Sequence, residues 1–178
     1  MKKFVVVGML VAALFGLVFA FMGTSGTETE KSAYLRVHIR ANSNSEEDQA
    51  VKYKVRDAVV AFLTPVVAEC ESKSEAIAEI TKKLPEAEKV AESVLEENGY
   101  DYGAKASIRK EEFPTRVYES VTLEAGVYDA LILELGTGKG DNWWCVVYPP
   151  LCFTSGNGNI IYKSKIAEIV RKFFAEKQ

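Results

Sequence analysis

The sequence predicts an α+β fold in which an antiparallel sheet of about five strands carries two or three helices on one face, after an N-terminal signal or anchor helix. Three observations predict it. Apolar residues recur at period two around residues 34–40 and in four segments after Tyr100. They recur at three- and four-residue spacing through the middle of the chain and near its C-terminus, and residues 4–22 carry no charge. Period two marks a half-buried strand and a spacing near 3.6 marks an amphipathic helix. A run of ~20 uncharged residues is the length that spans a bilayer.

At the N-terminus, Lys2 and Lys3 precede Phe4–Met22, and the polar stretch Gly23-Thr24-Ser25-Gly26-Thr27-Glu28 follows. This is the layout of a signal sequence, with an apolar run longer than the usual ~7–15 residues. Two readings stay open: a leader that is cleaved, or an anchor that stays in the membrane with the domain outside, the lysines remaining inside in both. The expected organisation is a signal peptide or anchor over 1–25, a linker over 26–33 and a single domain over 34–178. If uncleaved, residues 4–22 are the membrane contact.

For a chain of 178 residues with 48% hydrophobic and 26% charged residues, one globular core is expected. The formal charge is −3, and without Lys2 and Lys3 it falls to −5. Lysines and arginines alternate with glutamates on the expected helices rather than forming a basic stripe, which argues against nucleic acid as a partner.

In Tyr34-Leu35-Arg36-Val37-His38-Ile39-Arg40, three aliphatic residues alternate with Arg36, His38 and Arg40, as in a half-buried strand. The turn Ala41-Asn42-Ser43-Asn44 leads to Ser45, a helix cap with acidic residues in the following turn. Val51, Val55, Ala58, Val59, Phe62, Leu63 and Val66 then share one face, and Pro65 is expected to kink or end this helix. A second helical stretch begins near Ser74 and ends at Asn98-Gly99. Its stripe keeps register through Pro85, as one kinked helix or two short ones.

Beyond Tyr100, strands are expected over 102–109, 116–123, 127–135 and 143–148. The connections at Phe113-Pro114-Thr115, Glu124-Ala125-Gly126 and 136–141 are too short for helical crossovers, which implies an antiparallel meander. Pro149-Pro150 stops the last strand, and Ile166, Ile169, Val170 and Phe173 mark a C-terminal amphipathic helix.

Catalytic signatures fail one by one. The glycine run at 136–140 has Leu133 where a phosphate loop needs its first glycine and Gly140 where it needs Ser or Thr, so it reads as a hairpin loop. Ser155 lacks the flanking glycines of a nucleophile elbow. His38 is the only histidine, and no Cys or carboxylate cluster at ligand spacing completes a metal site around it. A Cys–His dyad would have to join His38 to Cys70, Cys145 or Cys152 across the fold.

Cys145 and Cys152 are a candidate disulfide in an exported chain. Along a continuous strand they would stand roughly 23 Å apart, and a bridge needs Cα atoms within about 7 Å. Pro149-Pro150 would therefore have to reverse the chain. Two free, packed cysteines are the other reading. Between them and Asn142 lie both tryptophans, Trp143 and Trp144, which alternation sends to opposite faces. Either both are core, or one is an exposed aromatic of the kind that anchors a partner.

Several blocks together resemble one family. They are Leu35–Ser43 (LRVHIRANS), Asp48-Gln49 through Lys54-Val55-Arg56-Asp57, Phe113-Pro114-Thr115-Arg116, Ala125-Gly126-Val127-Tyr128, and Gly140 through Cys152 with Asn-Trp-Trp-Cys and Pro-Pro-Leu-Cys. In this order the chain resembles stage II sporulation protein R. It departs from the family pattern at Arg40, where an aliphatic residue is usual, at Glu124, where proline is common, and from Thr154 onward.

The resemblance implies a non-enzymatic signal of endospore-forming bacteria, with no cofactor. Such a signal is made in the forespore and secreted between the two membranes. It activates a membrane-bound aspartic protease of the mother cell, which cleaves a sigma-factor precursor. The family brings no contact residues with it, so the partner surface is chosen on chemistry: Trp143, Trp144, Arg116, and Gly138 and Lys139 of the glycine loop. The competing expectation is a secreted cell-wall or peptide hydrolase using His38 with a cysteine or with Glu111 and Glu112.

Overall fold

The computed structural model describes residues 31–118, 121–153 and 160–175. The apolar segment Phe4–Met22 and Ser155 lie outside the described residues. Strand β1 (Leu35–Arg40) leads into helix α1 (Glu46–Ala68), where the Ser45 side chain accepts the Asp48 N–H at 3.1 Å as the expected cap. Val51, Val55, Val59, Leu63 and Val67 form its buried stripe. The helix runs through Pro65 and ends three residues later.

Helix α2 (Lys73–Glu97) starts at Ser72, whose hydroxyl accepts from Glu75 N–H. It is a single helix across Pro85 and stops at Asn98 and Gly99, the latter at φ +83°. Among the described residues, no helix is long and apolar enough to cross a membrane.

Strands β2 (Ala104–Phe113), β5 (Gly126–Leu135) and β6 (Asn142–Tyr148) join β1 in one sheet, in the order β2-β5-β1-β6. Strands β3 (Arg116–Tyr118) and β4 (Val121–Leu123) make a separate two-stranded sheet. Helix α3 (Ile160–Ala175) closes the chain, its Phe173 ring 5.3 Å from Tyr34 and 6.3 Å from Tyr148. The architecture is α+β.

The sheet differs from an antiparallel meander in two ways. First, β1 lies between β5 and β6 and runs parallel to β5, with Val37 opposite Leu131 and Ile39 opposite Leu133, while β6 pairs antiparallel with β1. The sheet is therefore mixed. Parallel neighbours need a long crossover, and everything from α1 to β4 supplies it. Second, the expected strand over 116–123 is a hairpin, Arg116 pairing with Leu123 and Tyr118 with Val121. The glycine loop, too, is no hairpin loop between neighbours, because β5 and β6 are separated by β1 and the loop passes over the end of β1.

The first departure has an identifiable cause. Strand β1 is buried on both faces, yet its alternation of aliphatic and basic residues is the pattern of a half-exposed one. Arg36 is 0% exposed and His38 4%. Leu35, Val37 and Ile39 face α1 and α2 with Leu131, Leu133 and Leu135 in the main core. Each such aliphatic side chain contributes about 1.5–3 kcal/mol by leaving water. Arg36, His38 and Arg40 face the other way.

Candidate partner-binding site

The second sheet face is built by alternation. With Arg36, His38 and Arg40 on β1 come their partners Val146, Trp144 and Asn142 on β6 and Ala130, Ile132 and Glu134 on β5. The β3–β4 hairpin covers part of this face. Arg116 and Tyr118, two apart on β3, both reach it: Tyr118 Oη receives Arg36 Nη2 at 2.5 Å, and the Arg116 guanidinium stacks 4.3 Å from the Trp144 ring.

Arg36 has no carboxylate partner among the described residues. Its guanidinium sits 4.2 Å from the Phe113 ring centroid, 4.9 Å from Tyr128 and 5.5 Å from Tyr118. Burial lowers its pKa, and the Tyr118 and Tyr128 hydroxyls offset part of that. Three aromatic faces stand in for an anion here.

His38 lies between this box and Trp144, its ring 5.8 Å from Phe113 and 5.5 Å from Trp144. Nε2 pairs with Asn142 Oδ1 at 2.7 Å, which makes Nε2 the donor, and Nδ1 is 4.0 Å from Glu111 Oε1. Burial pulls the imidazole pKa below its usual value, against the support of Asn142 and with the added repulsion of Arg40. Burial thus favours the neutral imidazole. Beyond it, Arg40 and Arg109 share Glu111 and Glu134, with Arg40 donating to Glu134 at 2.9 Å and Arg109 at 3.2 Å.

Trp143 points to the helix face, partly buried against the main core, with Arg56 of α1 5.6 Å from its ring. Arg56 also lies 4.9 Å from the Tyr53 ring and pairs with the exposed Asp57. Each tryptophan therefore carries an arginine, one on each face of β6.

Gly138 and Lys139 stand apart from these stacks, in a loop fastened to the turn after β1. Thr137 N–H donates to Asn42 Oδ1 and its hydroxyl to Asn42 O, and Gly140 N–H donates to Ala41 O at 2.8 Å. Gly136 and Gly138 have φ of +55° and +61°, and a Cβ on Gly140 would collide with the Ser43 carbonyl. Asn42 is in turn held by Asp48, which also accepts from Ser43 and Tyr102. Burial raises the Asp48 pKa, but these hydrogen bonds outweigh it and leave the carboxyl below its usual range. Lys139 is exposed.

Cys145 and Cys152 are joined as a disulfide with Cα atoms 5.9 Å apart, the chain turning back through Pro149-Pro150 into a 3₁₀ turn at Leu151–Phe153. Cys70 is a free, buried thiol whose pKa burial pushes up to about 11.

Of the sequence-chosen residues, Trp144 and Arg116 are brought together, Trp143 lies behind them on the same strand, and Gly138 and Lys139 belong to the loop scaffold. Arg36, Arg56, Tyr53 and Tyr118 were not legible as site residues. Period two does put Arg116 and Tyr118 on one face of their strand. Which strand they would cover depends on the hairpin, which no local pattern announced.

Comparison with known proteins gives a consistent answer. Residues 31–157 match the family described as stage II sporulation protein R. The chain is 34% identical over 183 aligned residues to stage II sporulation protein R of Bacillus subtilis (strain 168), covering 97% of this chain and 81% of that one. No solved structure gives a significant match. With the family pattern spanning most of the folded region and the curated relative aligned almost end to end, the chain belongs to the stage II sporulation protein R family.

Proposed function

We propose that the protein is an exported sporulation signal that acts by binding, without catalysis of its own. In this reading it leaves the forespore and reaches the space between the forespore and mother-cell membranes, either free or tethered through residues 4–22. There it switches on a membrane-bound aspartic protease of the mother cell, which cleaves a sigma-factor precursor. A ligand of this kind works by binding the active conformation of its receptor more tightly than the inactive one.

The observation that carries the proposal is the near end-to-end likeness to stage II sporulation protein R. The site chemistry supports it over the hydrolase alternative. His38 is buried and committed to Asn142, Cys145 is bonded to Cys152, and the Cys70 thiol is buried with a raised pKa. None of these is an activated nucleophile with its base. The arginine-stacked tryptophans are instead residue types enriched at binding hot spots.

The test is cellular. The full chain, expressed only in the forespore of a strain lacking its own copy, is expected to restore precursor cleavage seen by immunoblot. Uncut precursor despite normal export of the chain would reject the proposal.

A further inference from the structure

We infer that the open edge of β6 at Asn142–Trp144 accepts a short extended strand of the partner, with acidic residues at two adjacent positions, one for Arg56 and one for Arg116. The inference rests on the proposed function and specifies how that partner is held.

A four-stranded sheet has two edges. On the β2 edge, Glu88 of α2 reaches over and accepts the Ala106 N–H at 2.7 Å, so a helix side chain occupies that position of the edge. On the other edge, β6 pairs with no strand but β1 among the described residues. Cys145 through Tyr148 are buried where the disulfide folds the chain back, whereas Asn142 is exposed and Trp143 and Trp144 are partly so. The accessible edge is thus the segment that carries both tryptophans.

An added strand would direct successive side chains to opposite faces of the sheet. On the helix face it would meet Arg56 beside Trp143, and on the hairpin face Arg116 beside Trp144. Arg116 is exposed and has no ion pair among the described residues, and the Arg56–Asp57 pair involves a largely exposed carboxylate that a partner can displace. Guanidinium groups held on aromatic faces are pre-organised for two-pronged carboxylate binding. Asp141 precedes Asn142 in the sequence, with Lys139 two residues before it. Charge complementarity at Arg56 and Arg116 favours an acidic strand at this edge.

The experiment uses the full chain and the full-length protease, co-expressed and purified together in detergent. Hydrogen exchange is read on the wild-type chain alone and in the complex, and association is compared for wild type, the R56E/R116E double variant and Lys105→Glu on the opposite edge. Those amides of residues 142–144 that point away from β1 are expected to exchange at least about tenfold more slowly in the complex. The double variant, with a thermal midpoint near wild type, should associate at least about tenfold more weakly, and Lys105→Glu should associate normally. A complex that forms with unchanged exchange over 142–148, or a double variant that associates like wild type, overturns the inference and leaves the proposed function standing. A wild-type chain that neither associates nor triggers precursor cleavage defeats the proposed function, and the strand-addition inference falls with it.

Discussion

The guanidinium of Arg36 lies 4.2 Å from the Phe113 ring centroid, fully buried, with the Tyr118 hydroxyl as its closest polar contact. A buried cation held by aromatic faces fixes the β3–β4 hairpin on the sheet, and through the neighbouring Arg116 it sets the Trp144 stack. Removing one partner should cost more than replacing the whole interaction. Tyr118→Phe strands Arg36 and is expected to destabilise by about 1–3 kcal/mol in urea unfolding. Arg36→Met, which keeps the volume and removes the charge, should cost less than Arg36→Ala and is expected to lie near or above wild-type stability.

The turn after β1 and the glycine loop form one unit, and Gly140 in that loop and Gly99 at the end of α2 resist substitution for different reasons. Gly140→Ala drives a Cβ into the Ser43 carbonyl, a backbone atom that cannot step aside, and is expected to cost about 1–3 kcal/mol. At Gly99, φ is +83° with nothing near the missing Cβ, so Gly99→Ala should cost only about 1 kcal/mol from backbone strain. Thermal unfolding of the two variants separates steric from conformational cost.

His38 makes stability depend on pH in a defined direction. Its pKa is lowered by burial in the folded protein, so on acidification the unfolded chain takes up a proton that the folded protein resists. The contribution is fully present above the unfolded value of about 6.5 and is lost as pH falls towards the folded value. Unfolding free energy should therefore drop as pH falls below about 6.5, and in His38→Gln, which can still donate to Asn142, that drop should disappear. Asp48 works in a lower window. Its folded pKa is depressed, so its contribution is present above an unfolded value of about 3.9 and is lost as pH falls through the folded one.

With the Cys145–Cys152 bridge closed, denatured but unreduced protein should take up one equivalent of alkylating reagent, at Cys70, by mass spectrometry. Replacing both bridged cysteines by serine should destabilise by about 2–3 kcal/mol, the chain-entropy value for so short a loop.

Much of the framework was legible because periodicity reports burial. The stripe from Val51 to Leu63, the Ser45 cap and the stop at Asn98-Gly99 follow from local chemistry and stand in the structure. The place of β1 was not legible, because Arg36 and His38 look like solvent residues and become interior ones only when Phe113, Tyr118, Tyr128 and Asn142 arrive from segments some 77 to 104 positions away. The same remoteness hid the pairing of Arg56 with Trp143. Trp144 and Arg116 could be chosen by residue type alone, but only the hairpin's position shows that they touch.

The central claim is that the tryptophan strand of β6 is the signalling surface. Its most direct measurement is sigma-factor precursor cleavage in sporulating cells whose only copy of the chain is the W143A/W144A double variant. Export and a wild-type-like protease-resistant core verify that the variant is folded. Cleavage should fall to the level of cells lacking the chain. Normal cleavage by the folded double variant would contradict the account.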